Sequence, residues 1–299
     1  MSASDPAVRW SELRPDEFRT RRDACPIVYL PLGLCEPHGA VAALGLDLLK
    51  AEHYCMEAAR RFGGIVAPSQ GYHIHECGFH APWLAATVGE ADPLLTAVPP
   101  HVMLRLFLYQ LRAFAHAGFA AVIGVSGHAG GSQEDLRRAG AIFARATGVR
   151  VVVKTDPEWV AGLHAGDHAG KYELSQLVAL RPELVDLTLI PRELARGSGE
   201  RFSLGADAAE ASADHGRAIN EAVVAAIGAE VRGLAVRPAG APARIRLDYA
   251  AVEALWTELA AAMAEWRSLS LAPNQTAVPS PSQWHGYDRA LEVLRGAST

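Results

Sequence analysis

Three short apolar runs limit the folds open to this chain more than any other feature: PIVYLPL at residues 26–32, AAVIGV at 120–125 and VRVVVK at 149–154. Each has the length and β-branched content of a strand buried on both faces. Between them the period changes. From Asp47 onward, Leu48, Ala51, Cys55, Ala58 and Phe62 recur at helical spacing until Gly63 and Gly64 stop them. Pro99-Pro100 starts a second helix, HVMLRLFLYQLRAFAHAG, that ends at Gly118, and a third runs from Ser132 or Gln133 to about Thr147. Strands alternating with helices predict an α/β fold with a mainly parallel sheet and helices on both faces. Such sheets place ligands at the carboxyl ends of their strands.

Ile65 to Pro68 reads as a further strand, and residues 69–100, rich in His, Gly and Pro, as a long irregular segment of the kind that carries function. A helix starts within 166–180, another runs from about His215 to Val231, and residues 238–242 resemble a linker. Tyr249 to Trp266 reads as a helix, APNQTAVPSPSQWHGYD as a loop, and the remainder as a last short helix. One elaborated domain suits 299 residues of which half are apolar and a fifth charged. A net charge of -5 with interspersed signs gives no basic patch, so neither nucleic acid nor an anionic membrane is an expected partner. The opening MSASDPAVRW has neither part of an export signal and no run approaches a membrane span, so a cytoplasmic location is expected. Cys25, Cys35, Cys55 and Cys77 contain no CxxC pair and are expected to be free thiols, buried or near a site.

The strand at 26–32 runs into PLGLCEPHGAVAALGLD, where Glu36 and His38 stand two apart and Asp47 follows nine residues after the histidine. Pro37 biases Glu36 to an extended conformation, in which residues i and i+2 point the same way and can share one ion or a pair. Asp47 falls at a helix N-terminus close to that turn, and its carboxylate has two oxygens with which to bridge two cations. Two carboxylates and one imidazole suit Zn, Mn or Fe better than Mg alone. A surface loop with scattered polar residues is the plainer alternative. The Gly127-His128 turn in SGHAGG also follows a predicted strand, so topology brings both turns to one edge of the sheet. As a phosphate cradle, that turn would lack a P-loop lysine and GxGxxG spacing.

Taken together, PLGLCEPHG with LGLD, then GHAGGS, then DHAGKYELS resemble the creatininase family of metal-dependent hydrolases, in order, over roughly residues 20–235. The resemblance implies a three-layer α/β/α core and a ring-shaped homo-oligomer, often a hexamer. It implies that Glu36, His38, Asp47 and His128 are direct ligands of two divalent transition ions bridged by Asp47. Glu173 matches a glutamate facing the same centre, as second-ion ligand or base for the bound water, and His168 matches a proton shuttle or substrate contact. A segment from 236 to 299 lies outside the match and reads as a helical extension packed on the same domain or on a neighbouring subunit.

The chain also departs from the family pattern. Ser126 and Ser132 stand where asparagines are usual and keep a hydrogen-bonding group without the amide. Creatininase draws a ligand from a glutamate two residues after the histidine; Gly130 stands there, which argues against creatinine as substrate. The family's E-H-x-x-F-P-G-T loop survives only as HECGFHAPWLAAT, residues 75–87, so the substrate wall is rebuilt. His73, His75, His80 and His164 have no fixed motif position and are expected to be mostly structural or solvent-facing, with one of the three at 73–80 lining the pocket. Trp83 and Trp159 could wall a small pocket, although packing accounts for most tryptophans. A nucleophilic Cys35 would leave the carboxylates unexplained.

The expected chemistry is attack by metal-activated water on a small polar, cyclic substrate, with C–N amide cleavage favoured. The rivals are opening of a lactone or cyclic ketone, as in sugar or inositol catabolism, and a binding protein that has lost catalysis. The last would have no need of so costly a cluster of acidic groups.

Overall fold

The two longest apolar runs lie side by side. In the computed structural model, which describes residues 7–192, 203–235 and 245–285, the chain order is α1 (Pro15–Ala24), β1 (Ile27–Leu32), α2 (Leu46–Phe62), β2 (Ile65–Val66), α3 (His80–Thr87), α4 (Pro100–Ala117), β3 (Ala121–Ser126), α5 (Ser132–Thr147), β4 (Arg150–Thr155), a short α6 (Asp156–Trp159), α7 (Lys171–Leu180), α8 (Ala213–Leu234) and α9 (Tyr249–Ala261). The strands form one sheet in the order β2-β1-β3-β4, every pair parallel. Its register aligns Leu32 with Ser126 and Ser126 with Thr155, so three strands end in one row and release the following residues at one edge.

Alternate strand residues enter separate cores, as the two-residue period demands. Val28, Leu30, Leu32 and Val122 pack under α4, α5 and α9, while Ile27, Tyr29, Ile123 and Val125 pack under α2, α7 and α8. The result is the expected three-layer α/β/α arrangement. α4 begins with a proline at its first turn and stops at Gly118, whose φ of 96° only glycine adopts cheaply.

Several boundaries differ from the sequence reading. β3 and β4 each sit one residue later, because pairing partners and not composition set strand ends. The strand read at 65–68 is only two residues long. The segment 69–100 contains a helix, α3, whose Ala81 and Leu84 pack on Trp284 and Val278 about 200 residues downstream; two turns held by remote contacts leave no periodic signature. α8 begins at Ala213, where the Ser212 side chain accepts from the His215 N–H. The helix read at 249–266 stops at Ala261 and gives way to 3-10 turns at Met263–Glu265 and Arg267–Leu269, which deliver Trp266 wholly into the core. The 238–242 linker and the last short helix lie outside the described residues.

The segment after α9 is tied to the main body. Asp135 accepts from the backbone N–H groups of Arg267 and Ser268 at 2.9 and 2.8 Å, and the Cys77 thiol donates to the Ser268 carbonyl at 3.2 Å. All four cysteines are free, and Cys25, Cys55 and Cys77 are buried. No described helix is long and apolar enough to cross a membrane.

Candidate metal centre

The row of strand ends delivers the predicted residues to one place. After β1 the chain loops out and returns, closed by the Glu36 N–H donating to the Leu44 carbonyl at 3.0 Å, and enters α2 at Leu46. After β3, Gly127 lies so close to α2 that an added Cβ would stand 2.0 Å from the Asp47 carbonyl oxygen. Ser126 Oγ and Gln133 Nε2 both donate to the His128 carbonyl and set the turn. Ser126 is thereby spent on positioning. The third block is capped by Asp167, whose carboxylate accepts from the N–H groups of Gly170, Tyr172 and Glu173 at the start of α7. Asp167 does the capping, and the Glu173 side chain turns inward.

The first five predicted ligands are all buried, between 0% and 4% exposed. His38 donates Nδ1–H to the Glu36 carbonyl at 3.0 Å, which leaves Nε2 facing Asp47 Oδ1 at 3.3 Å and Glu173 Oε2 at 3.4 Å. Glu36 Oε1 lies 2.8 Å from His128 Nδ1, and Asp47 Oδ2 lies 3.4 Å from that nitrogen. Asp47 thus stands between two seats, one formed with Glu36 and His128 and the other with His38 and Glu173. In each, three ligand atoms lie within 4.8 Å of one another.

Charge at this centre is unbalanced. Lys50, fully buried, places Nζ 2.7 Å from Glu173 Oε1 and 3.4 Å from Asp156 Oδ1. It is the one lysine against Glu36, Asp47, Asp156 and Glu173. Burial works against charge on Lys50, but Asp156, Glu173 and Asp47 outweigh it and hold the ammonium well above its usual value. Burial pushes the Asp156 carboxyl up to about 6 in spite of Lys50. Burial likewise opposes ionisation of Glu173, yet Lys50 and His38 bring it below the usual carboxylate range. His38 is raised well above normal by Asp47 and Glu173 against its own burial. His128 is raised to about 10, burial being outweighed by Glu36 and Asp47. Protons are drawn to the positions a cation would fill. His38 Nε2, both Asp47 oxygens and His128 Nε2 are buried without a hydrogen-bond partner, and unpaired polar atoms of that kind are costly. A mixed carboxylate and imidazole donor set fits transition-metal dications.

His168, 27% exposed at its side chain, stacks on His38 at 4.9 Å and meets the edge of Trp83 at 5.2 Å. Its Nε2 lies 3.2 Å from the Pro37 carbonyl and its Nδ1 4.0 Å from Glu173 Oε2. A cavity of about 380 Å³ opens over the centre, with Glu36, His75, His80, Trp83, His128 and His168 in its wall. Ala272 and Gln275, from the segment after α9, complete that wall. Gln275 is held there by donating Nε2–H to the Phe79 carbonyl at 2.8 Å.

The histidines of residues 73–80 correct the sequence reading. His73 and His75 are buried and His80 is half-buried at the head of α3; none is solvent-facing, and two of them line the cavity. The His73 ring lies 5.3 Å from that of His128, and burial and that neighbour push it down to about 3. Trp159 lies in the opposite core with Lys154 over its ring at 4.4 Å. Cys35 donates its N–H to Thr96 Oγ1 and lies outside the cavity lining. His164 pairs with His215 at 5.5 Å, half-buried. Sequence reasoning missed Lys50, although it sits one turn after Asp47 on the buried stripe Leu46, Asp47, Lys50, Ala51, Tyr54. A charged residue at an apolar position of a predicted helix was the available signal.

Residues 11–231 match the sequence model of a family named Creatininase and described as creatinine amidohydrolase. Among solved structures, a manganese form of creatininase gives a TM-score of 0.64 at 21% identity, with 76% of this chain and 98% of that one covered. A zinc–zinc form of a mutant creatininase gives 0.62 at 22%, with the same coverages. A Bacteroides fragilis NCTC 9343 protein provisionally named a creatinine amidohydrolase gives 0.57 at 18%, with 76% and 96% covered. At these identities the likeness is one of fold. Comparison with curated proteins returns no match.

Proposed function

The chain belongs to the creatininase family, and from that premise we propose that it is a metal-dependent hydrolase that opens a small polar, cyclic substrate at a C–N amide bond. The observation that carries this reading is the pair of buried seats sharing Asp47, with donor atoms left without partners. Glu36, Asp47 and His128 would hold one divalent ion, and His38, Asp47 and Glu173 the other, drawn from Zn, Mn or Fe. When bound, such ions supply a hydroxide-strength nucleophile at neutral pH and polarise a substrate carbonyl.

The remaining roles follow from the chain's own contacts. Both Glu173 oxygens are engaged, one by Lys50 at 2.7 Å and the other by the Ala169 N–H at 2.9 Å. A carboxylate held anionic in this way is a poor proton acceptor, which favours the ligand role for Glu173 over that of base. His168 is then the group that handles the proton. With Nε2–H donating to the Pro37 carbonyl, its Nδ1, 4.0 Å from Glu173 Oε2, would take the proton and return it to the departing nitrogen. Trp83 orients the His168 ring from the side. A cavity of about 380 Å³ suits a small molecule. Gly130 supports the exclusion of creatinine, because the space beside it is taken by the His80 ring.

Opening of a lactone or a cyclic ketone would use the same machinery, and the imidazole-lined wall of His75 and His80 is the feature that favours it. The test is a product-detected screen of the Mn, Zn and Fe forms against cyclic amides, lactones and cyclic ketones. Turnover of cyclic amides is expected. Turnover confined to lactones or ketones would replace this reading with the second, and none in a fully loaded protein would leave a binding relative.

A further inference from the structure

The space beside His128 is filled in an unusual way. Gly130 has a φ of 147°, and a Cβ there would stand 2.4 Å from His80 Cε1, so the His80 imidazole occupies the room any side chain at 130 would need. His80 in turn backs His75, with ring centroids 4.6 Å apart, and His75 meets the His128 ring edge-on at 4.7 Å. His75 is 2% exposed, and neither of its ring nitrogens has a hydrogen-bond partner. Its Nε2 lies 3.0 Å from Glu36 Oε2 without the geometry of a hydrogen bond.

Those distances match the edges of a coordination polyhedron. Donors about 2.0–2.1 Å from a common ion stand roughly 2.8–3.0 Å from each other along the edges of an octahedron and roughly 3.3–3.4 Å along those of a tetrahedron. The separations of 3.0 Å from Glu36 Oε2 to His75 Nε2, 2.8 Å from Glu36 Oε1 to His128 Nδ1 and 3.4 Å from Asp47 Oδ2 to His128 Nδ1 fall within those ranges, with the two Glu36 oxygens facing one imidazole each. One ring nitrogen each from His75, His80 and His128 also lie within 4.8 Å of one another. A separate third ion among them would have no carboxylate of its own to balance it.

We propose that His75 is a fourth protein ligand of the ion seated by Glu36, Asp47 and His128. The proposal rests on the reading that the two seats hold metal. It makes them unequal: two imidazoles and two carboxylates on one side, one imidazole and two carboxylates on the other. The nitrogen-richer seat selects later first-row ions such as Zn over Mn, and the oxygen-richer seat discriminates less.

The test counts imidazoles. The metal-stripped full chain is loaded with one equivalent of Cu²⁺, which seeks the nitrogen-richer seat, and coordinated imidazoles are counted by pulsed EPR. Two are expected in the wild type, one in His75→Gln and two in His80→Gln, with Zn²⁺ affinity weakened at least tenfold in His75→Gln alone. A count of two retained in His75→Gln, or a loss seen only in His80→Gln, overturns the assignment. If His75→Gln does not fold, the wild-type count decides, since a single imidazole there is incompatible with the proposal. Wild-type protein that takes up no Cu²⁺, Zn²⁺ or Mn²⁺ overturns the metal centre as a whole, a result distinct from an unchanged count.

Discussion

Asp47 touches both seats through separate oxygens, so its loss reaches both ions at once. Asp47→Ala or His128→Ala is expected to remove most bound metal, read by elemental analysis after chelation and reloading; wild-type content in both variants would refute the ligand assignment. Glu173→Gln keeps the shape of the side chain but removes its charge. One ion per chain in place of two is the expected outcome, whereas full occupancy with kcat down about 10²- to 10⁴-fold would restore the base role. His128 also carries a pH signature. Its protonated form pairs with Glu36 and Asp47, and its value rises from 6.5 to about 10. In metal-stripped protein that pairing stabilises the fold fully below pH 6.5 and is lost as pH rises through about 10. Urea titrations of the stripped protein are therefore expected to show falling stability across that window, and a flat profile would contradict the pairing. Glu36, His38, Asp47, His128 and Glu173 were legible because their spacing repeats a family pattern. Lys50 was not, because a counter-ion for buried carboxylates is chosen by which segments approach in space, and nothing in the sequence sets His75 apart from His73 and His80.

The element that gathers the centre is α2, which brings Asp47 and, one turn later, Lys50 to the carboxyl edge of the sheet. Lys50→Met would leave Glu173 and Asp156 buried without their cation. Removing one partner of a buried ion pair typically costs about 3–5 kcal/mol, and urea unfolding at neutral pH is expected to show a loss of that size. A change under 1 kcal/mol would mean that the carboxylates find other compensation. At the facing turn, Gly127→Ala cannot be accommodated without moving the Asp47 backbone. It is expected to cost about 1–3 kcal/mol as overpacking and to lower metal content, because His128 travels with the turn. Helices and strands with long periodic runs could be read from sequence almost to their ends. α3 could not, since its two turns are stabilised by Trp284 and Val278 and not by any pattern of their own.

At the scale of the molecule, we propose that copies of the chain assemble into a ring, as the family resemblance implies. Val102 and Leu106, one turn apart on α4, are 44% and 41% exposed, and Tyr249 is 64% exposed at the start of α9, which leaves apolar surface for a neighbour. Light scattering is expected to give a hexamer or another closed homo-oligomer, and a monomer at micromolar concentration would end that proposal without touching the metal centre. We propose further that residues 236–299 are an extension serving the same domain, the described part of which lies against α4, α5 and the cavity wall. That wall has a history in time. The bond from Gln275 to the Phe79 carbonyl joins residues 196 apart, whereas every residue of the two seats has been made once Glu173 has been added. On a ribosome adding about 5–20 residues per second, the seats precede the final piece of the wall by roughly 5–20 s. A newborn chain therefore carries every residue of the two seats before it carries the residues that complete the wall over them.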